Sequence, residues 1–188
     1  MSNNSYYNDA WRIINEKNQS LVSNYSMDFD GVNDRITVPA IQIPISSNYS
    51  VSFWFKGNDS ALNDVMIGGA NLNFYPYLNL VSGNININWR NSSSAKTIST
   101  DVVYTSGIWY HLVISQGVTN TIVYINGVDK GNVATINSGA GTSITSIGAY
   151  ELGNFAFNGF IDQVCFFDYA LSASQVATLY GGGTAVTN

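Results

Sequence analysis

Short stretches in which apolar and polar residues alternate recur from residue 25 to residue 167. A period of two is the spacing of a pleated strand, not of a helix. Residues 49–56 show it best: Val51, Phe53 and Phe55 fall on one face, and Ser50, Ser52, Trp54 and Lys56 on the other. Ile85, Ile87 and Trp89 alternate with Asn86 and Asn88, which predicts one buried and one solvated face. Further strands are expected over 26–29, 35–38, 64–68, 77–81, 96–99, 109–115, 121–125, 128–132, 143–147 and 157–167. Asn126-Gly127 supplies the two positive-φ positions of a type I′ turn and joins 121–125 to 128–132 as a hairpin.

Helix formers are scarce: the 188 residues contain two Glu and four Lys, against many Val, Ile, Thr, Tyr, Phe and Trp. One helix is predicted, over 173–179. Ser172 and Gln175 have capping-box spacing, and three glycines from 181 end it. Val176, Leu179 and Tyr180 would face the sheet. Many short strands with no helices between them imply an all-β sandwich or closed sheet.

The length fits one domain, taken as 25–188, preceded by a polar arm over 1–24 with no period of two. Trp11, Ile13 and Ile14 are the arm's apolar cluster. They are expected either to pack on the domain or to dock on a partner subunit. Charged residues make up 10% of the chain, so solubility rests on 24 Asn and 22 Ser with Thr and Gly. The net charge of −5 and the scattered basic residues give no nucleic-acid footprint. The single cysteine, Cys165, excludes an intrachain disulfide and is expected to be buried and inert. No apolar run approaches the roughly 18 residues of a membrane span. The first twenty residues lack the apolar centre of a secretory signal. Six Asn-X-Ser triplets are what this much Asn and Ser yields by chance.

Four segments resemble, in order, the laminin-G-like domain of the concanavalin A-like lectin/glucanase jelly roll. They are Phe29-Asp30-Gly31-Val32-Asn33-Asp34; residues 49–56; Trp109-Tyr110-His111-Leu112-Val113 leading into Tyr124-Ile125-Asn126-Gly127; and Phe157-Asn158-Gly159-Phe160-Ile161-Asp162 running into Ala170-Leu171-Ser172 and Leu179-Tyr180. The resemblance spans about residues 25–182. It implies two curved antiparallel sheets packed face to face with the first and last strands adjacent. It also implies glycan or protein binding and, in many members, a calcium ion.

Calcium takes six to eight oxygen ligands. Asp30, Asn33 and Asp34 crowd one turn beside Gly31. If the terminal strands are neighbours, Asp162 would join them in a structural Ca²⁺ site. The alternative is that Asp30 and Asn33 shape the turn and Asp162 accepts from backbone amides. For glycans, aromatic platforms beside polar groups are expected among Trp54, Phe74, Tyr75, Tyr77, Trp89, Tyr150 and Phe155, although most rings in so aromatic a chain must be buried. Catalytic residues are not expected. Glucanases of this fold class place two carboxylates across a cleft, whereas the only glutamates here are Glu16 and Glu151. His111, the sole histidine, reads as a structural residue. One His and one Cys make neither a zinc cluster nor a nucleophile pair.

Two roles follow. The first is an exposed virion protein (a capsid decoration, cement or fibre subunit) held to other virion subunits by the arm, oligomeric or lattice-bound, and able to adhere to glycans. The chain begins at Met1 and carries no export signal, which suits a particle released by lysis. The second is an extracellular carbohydrate-binding module of a cell-surface or secreted protein. Both are binding roles without chemistry.

Overall fold

A computed structural model describes residues 26–43, 48–69, 75–91, 94–134, 142–150 and 155–182. Six strands form one antiparallel sheet in the order β1 (Met27–Asp30), β13 (Asn158–Phe167), β3 (Tyr49–Gly57), β9 (Tyr110–Gln116), β10 (Asn120–Ile125) and β11 (Val128–Ala134). The opposite layer has two parts. β2 (Ile36–Ile43), β12 (Thr142–Ile147) and β5 (Ile67–Gly69) pair in that order. β4 (Asn63–Val65), β6 (Tyr75–Val81), β7 (Asn84–Asn91) and β8 (Ser94–Val103) make a four-stranded sheet. The fold is the expected two-layered antiparallel sandwich, and the first and last strands are neighbours: Met27 pairs with Ile161 and Asp30 with Asn158.

The core lies between the layers and is built from one face of each sheet. Val51, Phe53 and Phe55 of β3, Leu112 and Ile114 of β9 and Ile161 of β13 meet Leu78, Ile85, Ile87 and Ile98 of the four-stranded sheet and Ile67, Ile144 and Ile147 of the other. Each fully buried side chain of this size contributes about 1.5–3 kcal/mol. Alternation therefore sets which residues enter the core. The 126–127 turn is as predicted, with Asn126 and Gly127 at φ 51° and 77°. At the far side Lys130 of β11 bridges Asp101 of β8 at 2.8 Å, joining the two layers along one seam.

Several boundaries differ from the sequence reading: β2 and β8 run to Ile43 and Val103, well beyond the expected 35–38 and 96–99. The expected strand 64–68 is two strands broken at Met66, where the chain changes sheets: β4 pairs with β6 and β5 with β12. The helix, α1 (Ala173–Gly182), runs two residues into the glycines. Its capping box forms as predicted. Ser172 N–H donates to Gln175 Oε1 at 2.9 Å, and Gln175 N–H donates to Ser172 Oγ at 3.4 Å. The helix packs Val176 and Leu179, with Leu171, on Val113 and Tyr124, so it covers the outer face of the six-stranded sheet.

Candidate functional site

The bend after β1 holds three of the four residues expected to bind calcium, and its carboxylates are largely engaged with its own backbone. Val32 N–H donates to Asp30 Oδ1 at 2.8 Å and Asn33 N–H to the same oxygen at 3.3 Å. Asp30 N–H donates to Asp34 Oδ2 at 3.1 Å. The Val32 amide in particular holds the Asp30 carboxyl below the usual carboxylate range. Asp162 does not join them. It lies four residues along β13 from Asn158, the partner of Asp30, or about 13 Å at the rise of a strand. Its carboxylate instead accepts from Gln163 N–H at 2.7 Å. Adjacent strands were the right inference, but the register sets Asp162 at the other end of the pair. Asp30, Asn33, Asp34 and Asp162 thus do not form one calcium site. Among the described residues no three His, Cys, Asp or Glu side chains converge.

The outer face of the six-stranded sheet carries a second group. Asp162, Trp54 and His111 are cross-strand partners on β13, β3 and β9. Trp54 is buried, and Tyr180 of α1 stacks over both Trp54 (5.7 Å) and His111 (5.9 Å). Expected as a sugar platform, Trp54 is instead the floor beneath the helix. Ser52 Oγ lies 2.9 Å from His111 Nε2. Among the described residues no carboxylate meets His111 Nδ1, and both side chains are buried, an arrangement without the orienting acid and the access of a nucleophilic dyad.

Cys165 is exposed, contrary to expectation. Gln163, at φ 49°, and Val164 form a bulge that inserts a residue between the pairs Asp162–Trp54 and Cys165–Ser52. Strict alternation from Ile161 would have put Cys165 in the core. The bulge hands that face to Val164 and Phe166.

The outer face of the four-stranded sheet carries a set of linked polar side chains. Leu78, Ile85, Ile87 and Ile98 point to the core, so the intervening residues face outward. Asn79 pairs with Asn86 and Asn88 with Thr97. Asn88 Nδ2 donates to Asn79 Oδ1 at 2.8 Å, and Thr97 Oγ1 donates to Asn88 Oδ1. This is an amide–hydroxyl ladder crossing three strands, flanked by exposed Asn63 and Ser99. Tyr77 occupies the register position opposite Asn88, and Tyr75 that opposite Arg90. Trp89 lies between Pro76 and Lys96. Asn86, expected in solvent, is buried on this face. The Asn84–Asn86–Asn88 alternation was visible in the sequence, but the ladder to Asn79 and Thr97 depends on pairing that single segments do not state.

Of the remaining candidates, Tyr150 is buried and Phe155 is 52% exposed. Phe155 is carried on a turn whose carbonyl accepts from Val65 N–H at 2.9 Å. Phe74, Trp11, Ile13 and Ile14 lie outside the described residues. Burial, with a smaller contribution from Asp59, pushes the Asp64 carboxyl up to about 6, while the Asn63 amide opposes it. Asp59 Oδ1 itself accepts from Asn158 Nδ2 at 3.0 Å.

The family model for the concanavalin A-like lectin/glucanases superfamily matches residues 30–177. No curated protein matches the chain. Among solved structures, the chain is similar to domain 4 of AbnA, a GH43 extracellular arabinanase from Geobacillus stearothermophilus in complex with arabinotriose. It is 27% identical, over 82% of this chain and 76% of that one, with a TM-score of 0.63. A heptameric SAP-like pentraxin from Limulus polyphemus shares the fold at 22% identity, over 82% of this chain and 81% of that one, with a TM-score of 0.66. Domains LG4-5 of the mouse laminin alpha1 chain do so at 11% identity, over 81% of this chain and 44% of that one, with a TM-score of 0.60.

Proposed function

The chain belongs to the concanavalin A-like lectin/glucanase superfamily, and from that premise we propose that it is a non-catalytic module that binds glycans on the outer face of its four-stranded sheet. The observation that carries this reading is the Asn79–Asn88–Thr97 ladder. Amide and hydroxyl groups fixed at strand spacing, about 4.8 Å, match the hydroxyls of successive sugars. Their mutual hydrogen bonds hold them in place before a ligand arrives, which lowers the ordering cost of binding. Tyr75 and Tyr77, in register with the ladder, are the residues assigned to stack on sugar rings. A near-neutral polar face gives weak contacts that gain strength through multivalency. The solved complex of the AbnA domain with arabinotriose supports a carbohydrate as ligand, and its extracellular parent supports work outside the cell.

Catalysis has no part in this reading. Burial lifts two described carboxyls, Asp64 and Asp162, but Asp59 beside Asp64 is bound to Asn158 and Asp162 accepts from Gln163 N–H. The sheet's polar ladder contains no carboxylate. Calcium at the bend would have to be held by Asp30, Asn33 and Asp34 without Asp162, and a melting temperature that rises with calcium and falls with chelator tests that site. A place on a virion surface is compatible with the same adhesive face, and mass spectrometry of purified particles tests it.

A glycan array including arabino-oligosaccharides, followed by calorimetry, tests the binding. Asn88→Ala is predicted to weaken affinity about tenfold, the equivalent of one or two hydrogen bonds, with the fold intact. Affinity unchanged in Asn88→Ala and in Tyr77→Ala would remove the face from the proposal. Glycan turnover abolished by Asp64→Asn would replace it with an enzyme.

A further inference from the structure

His111 sits under α1 in a setting that favours the neutral imidazole. The residue is 1% exposed. Its ring lies 5.0 Å from Trp54 and 5.9 Å from Tyr180, which roofs both. Nε2 has Ser52 Oγ at 2.9 Å, whereas Nδ1 has no hydrogen-bond partner among the described residues. A bare lone pair on Nδ1 is tolerable in the neutral ring. Protonation turns it into a buried, charged N–H donor with nothing to accept it.

Among the described residues, the groups around the ring offer Nδ1–H no acceptor. From β3 come Ser52, Trp54 and Lys56, the last a cation held 5.2 Å from the Trp109 ring. From the β10–β11 turn, Asn126 Oδ1 accepts from the His111 backbone N–H at 2.9 Å, and so is already engaged. From α1 comes Tyr180. On β13, Asp162 is two strands away in register, with its oxygen on Gln163 N–H, and Cys165 beside it is neutral. Cation–π attraction to the flanking rings does not supply the acceptor that Nδ1–H needs.

Tyr180 is also the part of the cover that has to move. It is 38% exposed and rests against Gly127, where an added Cβ would come within 2.9 Å of its ring. Displacing the last turn of α1 hydrates Nδ1 without opening the core between the sheets. We infer that α1 is an acid-released cover: protonation of His111 undocks the helix from the outer face of the six-stranded sheet and exposes Trp54, Val113 and Tyr124. Burial holds the imidazole down to about 4, which places the release at that pH.

His111 is the sole histidine, so its imidazole signals in NMR are unambiguous. In the full chain, the His111 midpoint is expected near 4, and hydrogen exchange of residues 173–182, corrected for intrinsic pH dependence, is expected to rise with the same midpoint. His111→Gln, whose amide can still meet Ser52, is expected to keep the helix docked at pH 7 and to abolish the acid step. If that variant does not fold, Tyr180→Ala serves: removing the roof is expected to raise the His111 midpoint by about one to two units as water reaches Nδ1. Helix exchange that stays flat through the His111 titration would overturn the inference. So would a midpoint near 6.5 with the helix docked, or an unchanged midpoint in Tyr180→Ala.

Discussion

Gly148 illustrates how one residue fixes the entry of the chain into the fold. It adopts φ 90°, and a Cβ there would lie 2.0 Å from the Phe29 ring. Phe29 is the buried residue of the short β1, so the missing side chain is what lets β1 seat against β13. Gly148→Ala is predicted to destabilise by about 1–3 kcal/mol through overpacking and a left-handed backbone, read as a lowered midpoint in urea. Individual residues were only partly legible in the sequence. The Asp30 bend was read correctly as a crowded turn, but whether its carboxylates face a metal or their own amides depends on geometry no spacing encodes. Trp54 was read onto the face of β3 away from the core, where it lies, but as solvated, whereas it is buried. That a helix 120 residues later would roof it was not visible in the alternation of β3.

At the scale of elements, α1 depends on its cap and on the ring it lays down. Ser172→Ala removes the acceptor for Gln175 N–H and is expected to cost about 1 kcal/mol, seen as faster exchange in 173–176 with the sandwich unaffected. The cap was legible because a capping box is a local pattern of four residues. The β13 bulge was not. Nothing in Asp162-Gln163-Val164-Cys165 announces a positive φ at a glutamine, and the bulge inverted the expected face of Cys165. The same limit split 64–68 into two strands, since a change of sheet at Met66 is decided by which partners arrive from β6 and β12.

For the whole molecule, His111 titrates against two carboxyls raised by burial, Asp64 and Asp162, over overlapping pH ranges. His111 falls from 6.5 to about 4 on folding, so the unfolded chain binds the extra proton and stability is lost as pH drops through that range. Asp64 rises from 3.8 to about 6, so the folded chain binds the extra proton and stability is gained as pH drops from 6 toward 4. The wild-type melting temperature is therefore expected to change little between pH 6.5 and 4. Asp64→Asn should make it decline with acid, and His111→Gln should make it climb. The sandwich itself was legible from alternation, the Asn-Gly turn and the scarcity of helix formers, because burial of one face per strand is a property of each segment. Strand order and the outer ladder were not, because they join residues far apart in the chain.

Glycan contact with the outer face of the four-stranded sheet can be mapped in solution. Backbone amide shifts during titration with arabino-oligosaccharides, or with another oligosaccharide selected by the array, locate the contact directly. If sugars bind the ladder, saturable shifts are expected to cluster at Asn63, Asn79, Asn86, Asn88, Thr97 and Ser99. Shifts confined to the Asp30 bend or to the face under α1 would contradict it.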